Sequence, residues 1–135
     1  MNTGIKVLVI DDSNTIRRSA EAYLRQAGFN VVLAEDGFDA LSKISDHHPQ
    51  VIFVDIMMPR LDGYQTCALI KKNAKFHSTP VIMLSSKDGL FDRARGRMVG
   101  SDQYLTKPFT KESLLKAVAT HVARRAPGAA APSGN

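Results

Sequence analysis

The sequence predicts an α/β domain built on a doubly wound (βα)5 parallel sheet with strand order 2-1-3-4-5. Short apolar runs alternate with amphipathic segments five times along the 135 residues, which is typical of consecutive βα units. Because the apolar runs are short and bounded by turn residues, we expect strands that are buried on both faces. Right-handed crossovers should place helices on both sides of the sheet. In such sheets, functional groups collect at the carboxyl ends of the strands.

Five apolar runs and five amphipathic segments define the predicted elements. The strands are Val7–Ile10, Val31–Ala34, Val51–Val54, Val81–Leu84 and Tyr104–Thr106. The apolar positions at helical spacing are Ile16, Ala20, Tyr23, Leu24 and Ala27; Phe38, Leu41 and Ile44; Tyr64, Cys67, Ala68 and Ile70; Leu90, Phe91, Ala94 and Met98; and Leu114, Leu115, Val118 and Val122. Gly28 and Gly100 supply stop signals, and Pro49 follows the second helix.

The composition predicts one soluble domain. The chain is 44% hydrophobic and 23% charged, and it is long enough to bury a single core. No apolar run approaches the ~20 residues that span a bilayer, and the N-terminus lacks a signal-peptide pattern. The single cysteine, Cys67, excludes an internal disulfide and fits the cytoplasm. We expect one domain over residues 1–125 and a disordered tail, APGAAAPSGN, over 126–135.

The net charge of +5 arises partly from the runs KKNAK, at 71–75, and RARGR, at 93–97. Nucleic-acid binding would be one interpretation of this charge, but the sequence has no helix-turn-helix pair, zinc-ligand spacing or RNP-like aromatic run. Solvated helix faces explain the charge more simply. A basic docking surface for an acidic protein partner is the other interpretation that stays open.

Three acids follow two predicted strands. Asp11 and Asp12 end the first strand and Asp55 ends the third, and these strands are neighbours in the predicted order. Three carboxylates in one cleft repel one another unless protons or a cation intervene. Mg²⁺, a hard ion held by carboxylates, water and phosphate oxygens, suits this position. Helix capping by Asp12 with Ser13 is an alternative, but it does not explain Asp55.

Two further strand ends contribute polar groups to the same edge. Ser85 closes the fourth strand and Lys107 follows the fifth. Lys107 could simply balance the acids, but together the groups also form a phosphoryl site. In that site Asp55 is the nucleophile, Mg²⁺ and Lys107 offset charge, and Ser85 hydrogen-bonds one oxygen. Because no glycine-rich phosphate loop is present, the protein should accept phosphoryl groups without binding ATP.

The motifs VIDD, DIMMPRLDG, VIMLSS and YLTKPF, in this order and spacing, resemble the receiver domain of two-component response regulators, which has the flavodoxin-like fold of CheY. The resemblance covers about residues 6–123. Over residues 53–71 and 78–109 the chain is also similar to stand-alone regulators of type IV pilus twitching motility. The resemblance implies a phospho-acceptor signalling protein, not an enzyme acting on other substrates.

The resemblance implies a role for each acidic residue. A CheA-like histidine kinase would phosphorylate Asp55 from its phosphohistidine. Asp12 and Asp55 would bind Mg²⁺ through their side chains, Asp11 through water and Met57 through its backbone carbonyl. We therefore expect Mg²⁺ as the cofactor, a protein of the pilus machinery or its regulators as the target, and a monomer that neither binds nucleic acid nor inserts into membranes.

The resemblance also implies a switch. The Ser85 hydroxyl would move to the phosphoryl group, and the Tyr104 ring would fill the space that it leaves. Lys107 would pair with the phosphoryl group, and the Lys107–Pro108 bond is expected to be cis, which proline permits. The signal would leave through a surface on helix four, strand five and helix five. The expected surface residues are Arg93, Arg95, Arg97, Tyr104 and Lys111.

Three residues bear on kinetics and switching. Many family members carry a polar residue at the position of Met57 and an acid or amide at that of Lys87, where either can assist the attacking water. Since both are missing here, we expect slow self-dephosphorylation. Gly96 weakens helix four by ~1 kcal/mol relative to Ala, which suits an element that shifts between states, although a close packing contact would explain it equally well.

Two other functions with a similar fold or nucleophile would each need residues that this chain lacks. A haloacid dehalogenase-like phosphohydrolase needs a second acid where Met57 stands. A flavodoxin-like electron carrier needs a phosphate-binding loop after strand one, where this chain has the repulsive run DDSN. Within the receiver interpretation, a flagellar-motor chemotaxis regulator or a phosphate sink remains open, because no residue separates these outputs from pilus control.

Overall fold

The computed structural model describes residues 3–86 and 90–125, and in these it has five βα units. The strands are β1 (Lys6–Ile10), β2 (Asn30–Ala34), β3 (Val51–Asp55), β4 (Val81–Ser85) and β5 (Gln103–Thr106). The helices are α1 (Asn14–Gln26), α2 (Gly37–His47), α3 (Gly63–Lys72), α4 (Leu90–Met98) and α5 (Lys111–Arg125). Lys87 and the predicted tail at 126–135 lie outside the described residues, as do the side chains of Leu90 and Phe91.

The five strands form one parallel sheet in the order β2-β1-β3-β4-β5, which confirms the predicted fold class. The burial of strand residues differs between the centre and the edges of the sheet. Every residue of β3 and β4 is buried, whereas every residue of β5 is only partly buried. The prediction that all strands are buried on both faces is therefore wrong for the two edge strands, because Asn30, Val32 and Leu33 of β2 are also only partly buried.

Alternating strand residues divide the core between the two faces of the sheet. On one face, Val7 and Val9 of β1 pack with residues of α1 and α5. On the other face, Leu8 and Ile10 pack with residues of α2 and α3. Gly96 of α4 lies on this second face, since a Cβ built there would be 3.8 Å from the buried side chain of Met83. The sheet is therefore covered by helices on both faces.

Among the side chains that the structure describes, the predicted apolar helix positions are buried or partly buried except at two positions. Phe38 is 54% exposed and Met98 is 85% exposed, so neither contributes to the core. The Arg60 guanidinium lies 5.5 Å from the centre of the Phe38 ring and covers part of it. No helix among the described residues has the length and apolar character that a membrane span requires.

Candidate functional site

The acid cluster forms where β1 and β3 end side by side. Ile10 pairs with Val54 in the parallel register, so the next residues, Asp11 and Asp55, leave the sheet at the same level. Asp11 is fully buried and Asp55 is 2% exposed, while Asp12 is exposed. Each of the three residues offers a carboxylate oxygen that lies within 4.8 Å of the others. The structure therefore brings the three predicted acids together.

Asp12 is not the N-cap residue of α1. The N-cap of α1 is Ser13, whose hydroxyl accepts a hydrogen bond from the Ile16 amide at 3.3 Å. The Ser13 amide in turn donates to Asp11 Oδ1 at 2.9 Å, which fixes the rotation of that carboxylate. The Asp12 side chain is left facing a surface cavity, where it can act as a ligand.

Lys107 is the cation of the site. Its ammonium Nζ lies 3.2 Å from Asp11 Oδ2 and 3.0 Å from Asp55 Oδ1. The backbone amide of Lys107 donates to the Ser85 carbonyl at 2.6 Å, and the Lys107–Pro108 bond is cis, as expected. One ammonium among three carboxylates leaves a formal charge of about −2, which only a further cation or protons can offset.

The charges shift two pKa values. Burial, reinforced by the nearby Asp11 carboxylate, raises the pKa of Asp55 from 3.8 to about 6, although the Lys107 hydrogen bond opposes the rise. Burial lowers the pKa of Lys107, but its hydrogen bond to Asp55 and the charge of Asp11 outweigh that effect, so the pKa of Lys107 is raised. Lys107 therefore stays charged, and Asp55 binds either a proton or a cation readily.

Ser85 ends β4 and is 3% exposed. It lines a cavity of about 520 Å³ together with Asp12 and the backbone loop that follows β3. Met57 belongs to this loop, and its side chain is 67% exposed, so it presents an apolar group at the cavity rim and no group that could polarise water. The predicted site residues Asp12, Met57 and Ser85 therefore share one cavity.

Tyr104 lies on the edge strand β5, where it is half-buried. It pairs with Met83, two residues before Ser85, and packs against the core cluster on the α2 and α3 face of the sheet. Because residues two apart on a strand point to the same face, the side chains of Ser85 and Tyr104 lie on one side of adjacent strands. The Arg93 guanidinium lies 4.8 Å from the centre of the Tyr104 ring.

The residues expected on the output surface are not all together. Arg93, Arg97 and Tyr104 line one groove between α4 and β5. Arg95 instead lines the cavity that contains Ser85, with its guanidinium 4.3 Å from the centre of the Tyr64 ring. Lys111 points toward α1, where its ammonium donates to Gln26 Oε1 at 2.9 Å.

Two residues that support the site were not identified from the sequence. A Cβ added to Gly63 would lie 2.4 Å from the Asp55 carbonyl oxygen, so only glycine lets α3 begin this close to the strand end. The Asp-Gly pair before a helix was the available signal. Arg17 donates from its guanidinium to the Asp11 carbonyl, and nothing in the local sequence marks that contact.

Comparisons with known proteins agree with this geometry. Residues 7–119 match the model of the response regulator receiver domain. The chain is 73% identical to the protein PilG of Pseudomonas aeruginosa over 119 residues, which are 88% of each chain. The chemotaxis protein CheY4 of Vibrio cholerae has a similar structure, with a TM-score of 0.84, 33% identity and coverage of 87% of this chain and 98% of that one.

A second solved structure gives the same result. The receiver domain of the Francisella response regulator 1452 superposes with a TM-score of 0.83 at 36% identity, covering 90% of this chain and 98% of that chain. The residues matched by the family model include the ends of β1, β3 and β4 and the residue Lys107 that follows β5. The chain belongs to the response regulator receiver-domain family, and the protein is a signalling receiver.

Proposed function

We propose that Asp55 accepts a phosphoryl group from the phosphohistidine of a CheA-like histidine kinase, and that the phosphorylated domain signals by contact with another protein in control of type IV pilus twitching motility. The observation that carries the chemistry is a buried carboxylate, Asp55, whose oxygens lie between two other acids and one ammonium. The similarity to PilG supports the pilus output.

The donor set fits Mg²⁺. Carboxylate oxygens are hard ligands, and three of them lie within 4.8 Å of one another beside a single ammonium. Two of these carboxylates binding directly, with water completing the coordination, would match what Mg²⁺ prefers. Asp12 and Asp55 would hold the ion through their side chains, Asp11 through water and Met57 through its backbone carbonyl. When bound there, the ion would supply positive charge that offsets the charge on the oxygens of the transferred phosphoryl group.

The protein groups carry out the transfer by positioning. A carboxylate oxygen of Asp55 attacks phosphorus, the new O–P bond forms, and the P–N bond to the kinase imidazole breaks with its electrons leaving on nitrogen. Lys107, already within 3.0 Å of Asp55, offsets charge on the phosphoryl oxygens. Because its pKa is raised, Lys107 carries this charge throughout the neutral range.

The proposed switch follows from the two adjacent strands. The Ser85 hydroxyl reorients to donate to a phosphoryl oxygen, and the Tyr104 ring moves toward the space that Ser85 leaves. Tyr104 then withdraws from Arg93, and the groove between α4 and β5 changes shape. Arg93, Arg97 and Tyr104 are our proposed contacts for the target, while Arg95 and Lys111, also expected on that surface, face elsewhere.

Complementation tests the pilus output. A Pseudomonas aeruginosa strain without PilG would express this chain, Asp55→Ala, or Asp46→Ala as an exposed control on α2. We expect the native chain and Asp46→Ala to restore the subsurface twitching zone and Asp55→Ala to fail. A wild-type chain that is phosphorylated but restores no twitching would refute the pilus assignment without affecting the phosphoryl chemistry.

The exposed Met57 side chain predicts slow self-dephosphorylation, because a thioether cannot orient the attacking water. Introducing a polar group there, in Met57→Asn, should shorten the half-life of the phosphorylated form by roughly tenfold, less than the contribution of a positioned acid or base because an amide orients the water without taking its proton. The half-life is followed by intact mass after removal of donor. An unchanged half-life would show that Met57 does not limit the reaction.

A further inference from the structure

A separate groove lies on the surface between α2 and α3. Its volume is about 600 Å³. Its apolar lining residues are Leu41, Ile44, Leu69, Ile70, Ala74 and Phe76. The groove shares no lining residue with the cavity that contains Ser85 or with the groove between α4 and β5. The phosphoryl chemistry and the proposed switch therefore leave this groove unused.

The apolar floor of the groove is open to solvent. Leu69 is 43% exposed, and Phe38, which lies one helical turn before Leu41 on α2, is 54% exposed. Residues three apart on a helix share a face, so Phe38 extends the apolar floor toward the start of α2. Contiguous apolar surface of this kind is typical of protein-binding grooves.

The walls of the groove are helices, and this suits a helical ligand. α2 has 11 residues and α3 has 10, so the walls run for about 15 Å at 1.5 Å per residue. A partner helix of about three turns matches this length and presents apolar residues at positions i, i+3, i+4 and i+7. An extended segment would find no sheet edge here to pair with its backbone groups.

The charge at the groove is positive. Lys75 lines it, and no acidic residue does so in the part of the chain that the structure describes. Lys72 is exposed and lies one turn after Leu69, on the same side of α3. Within the run KKNAK, the Lys71 ammonium is held by Asp102 at 2.8 Å. Lys72 and Lys75 form no ion pair among the described residues, so both can pair with an acidic ligand.

The two lysines lie at the end of the groove that is remote from the acid site. Each of α2 and α3 follows the carboxyl end of one strand and leads to the start of the next, so their last turns lie near the amino ends of the strands. Lys72 ends α3 and Lys75 follows it. Asp46, the acid near this end of α2, does not line the groove. The phosphoryl site is negative at the opposite end, so the acidic end of a bound helix is drawn to the lysines.

We propose that the groove between α2 and α3 binds an amphipathic helix of a partner protein, with acidic residues at the end that lies over Lys72 and Lys75. Apolar side chains of that helix cover Leu41, Leu69 and Phe76, which line the groove. A helix bound here leaves the acid site and the groove between α4 and β5 accessible. Docking and phosphoryl signalling therefore use separate surfaces, and docking does not require phosphorylation.

Three designed peptides test the proposal. Each has about 14 residues, enough for three to four turns, with blocked termini and the same leucine positions. The first carries Glu near one end of its polar face, and the second has Lys in place of each Glu. The third is the acidic peptide with a central Pro, which disfavours the helix. Titrations are followed by the backbone amide chemical shifts of the isotope-labelled full chain.

We expect the acidic peptide to shift amides of α2, α3 and residues 73–76. It should bind roughly three- to tenfold more tightly than the basic peptide, as for two exposed charge pairs. The Pro-containing peptide should bind more weakly than its helical parent, because the ordering of a peptide that resists the helix opposes binding.

Four variants separate the apolar contact from the charge. Leu69→Gln should weaken both helical peptides to a similar extent, whereas Lys75→Glu should weaken only the acidic peptide, by roughly threefold, and Lys75→Arg should preserve its binding. Lys116→Glu, an exposed charge reversal on α5 outside the groove, is the matched control and should not change the preference for the acidic peptide. Because Leu69 and Lys75 are exposed, their variants should keep the urea midpoint of the native chain.

Several outcomes would overturn the proposal. Equal affinity for the acidic and basic peptides, or equal affinity for the acidic peptide and its Pro-containing form, would exclude an acidic helix as the ligand. Shifts confined to α4, β5 and α5, or none at millimolar peptide, would exclude the groove. Amides of α2 and α3 that shift with protein concentration alone would assign the groove to a second copy of this chain instead.

Discussion

The end of the sheet at β1 and β3 and the edge of the sheet at β5 and α4 are built differently. At the centre, Asp11 and Asp55 are buried and fixed by strand register and by the Lys107 ammonium. At the edge, β5 is partly buried throughout, and arginines contact tyrosine rings from the side of α4. Chemistry that needs fixed distances is thus placed at the centre, and the surface expected to move is placed where burial is least.

Among the substitutions that test this difference between the centre and the edge of the sheet, removal of the central cation, Lys107, should have the largest effect. In Lys107→Met, two buried carboxylates lose their partner, and we expect a loss of roughly 3–5 kcal/mol in the free energy of unfolding at about pH 8 without Mg²⁺. The pKa of Asp55 is raised to about 6 in the wild type, and loss of the Lys107 ammonium should raise it further, so acidification protonates Asp55 first in the variant and should shrink the loss. Urea unfolding across pH measures the effect.

Lys111→Met is the matched control, because Lys111 is exposed and its ammonium contacts only the neutral Gln26 amide among the partners described. It should change stability by less than about 0.5 kcal/mol at any pH. A Lys107→Met variant as stable as this control would show that the central acids are not held by the ammonium.

Gly63→Ala should be the next largest effect. The added methyl group would meet the Asp55 carbonyl oxygen at 2.4 Å and the Ile56 Cα at 2.7 Å, and both are backbone atoms that cannot rotate away. We expect a loss of about 2–3 kcal/mol, at the upper end for overpacking, together with slower phosphorylation because Asp55 is displaced. Thermal unfolding and initial phosphorylation rates test this prediction. An unchanged phosphorylation rate would show that the close approach of α3 does not determine the position of Asp55.

Asp55→Asn should stabilise the domain at neutral pH without Mg²⁺. Since the folded-state pKa is raised from 3.8 to about 6, the folded protein binds more protons than the unfolded chain in this window, and stability falls as pH rises through it. The neutral amide avoids this loss, a gain on the order of 2 kcal/mol at about pH 7.5. Mg²⁺ should stabilise wild type and reduce the difference.

Asp46→Asn, on the exposed face of α2, is the control for that experiment and should not depend on Mg²⁺. A wild-type protein that is more stable than Asp55→Asn at neutral pH, without metal, would contradict the charge distribution assigned to the site. The comparison is made by urea unfolding in a chelator and then in millimolar Mg²⁺.

Gly96→Ala, in α4 beside the edge of the sheet, should have the smallest effect of these substitutions. Ala favours the helix by ~1 kcal/mol, but the added methyl group would lie 3.1 Å from Ser101 Oγ, a rotatable side-chain atom that can shift. The two effects nearly cancel, so we expect a change within about 0.5 kcal/mol and a phosphorylation rate equal to wild type. A loss comparable to that of Gly63→Ala would mean that the edge is as rigid as the centre.

The sequence predicted the parts of the fold that depend on hydrophobic periodicity. The βα alternation predicted the five strands, and the predicted strand order placed Asp11, Asp12 and Asp55 in one cleft, as the structure shows. This succeeds because parallel strands end at a common edge, so a residue that directly follows a strand has a defined position. Lys107 was placed correctly for the same reason.

Contacts between side chains of different helices were not predictable. The stacking of Arg95 on Tyr64 and the exposure of Phe38 depend on the rotation of each helix about its axis, to which a short amphipathic pattern is insensitive. The close approach at Gly63 depends on backbone geometry that the letters show only as an Asp-Gly pair. The sequence therefore predicted the residues of the phosphoryl site better than it predicted the residues of the output surface.

The most direct test of the central claim is intact-mass analysis after incubation with acetyl phosphate, with and without Mg²⁺, on wild type and Asp55→Asn. A Mg²⁺-dependent gain of one phosphoryl group in wild type, which is lost in Asp55→Asn, is the predicted result. A gain that persists in Asp55→Asn, or that does not require a divalent cation, would contradict the assignment of Asp55 and its acidic neighbours as the phosphoryl and metal site.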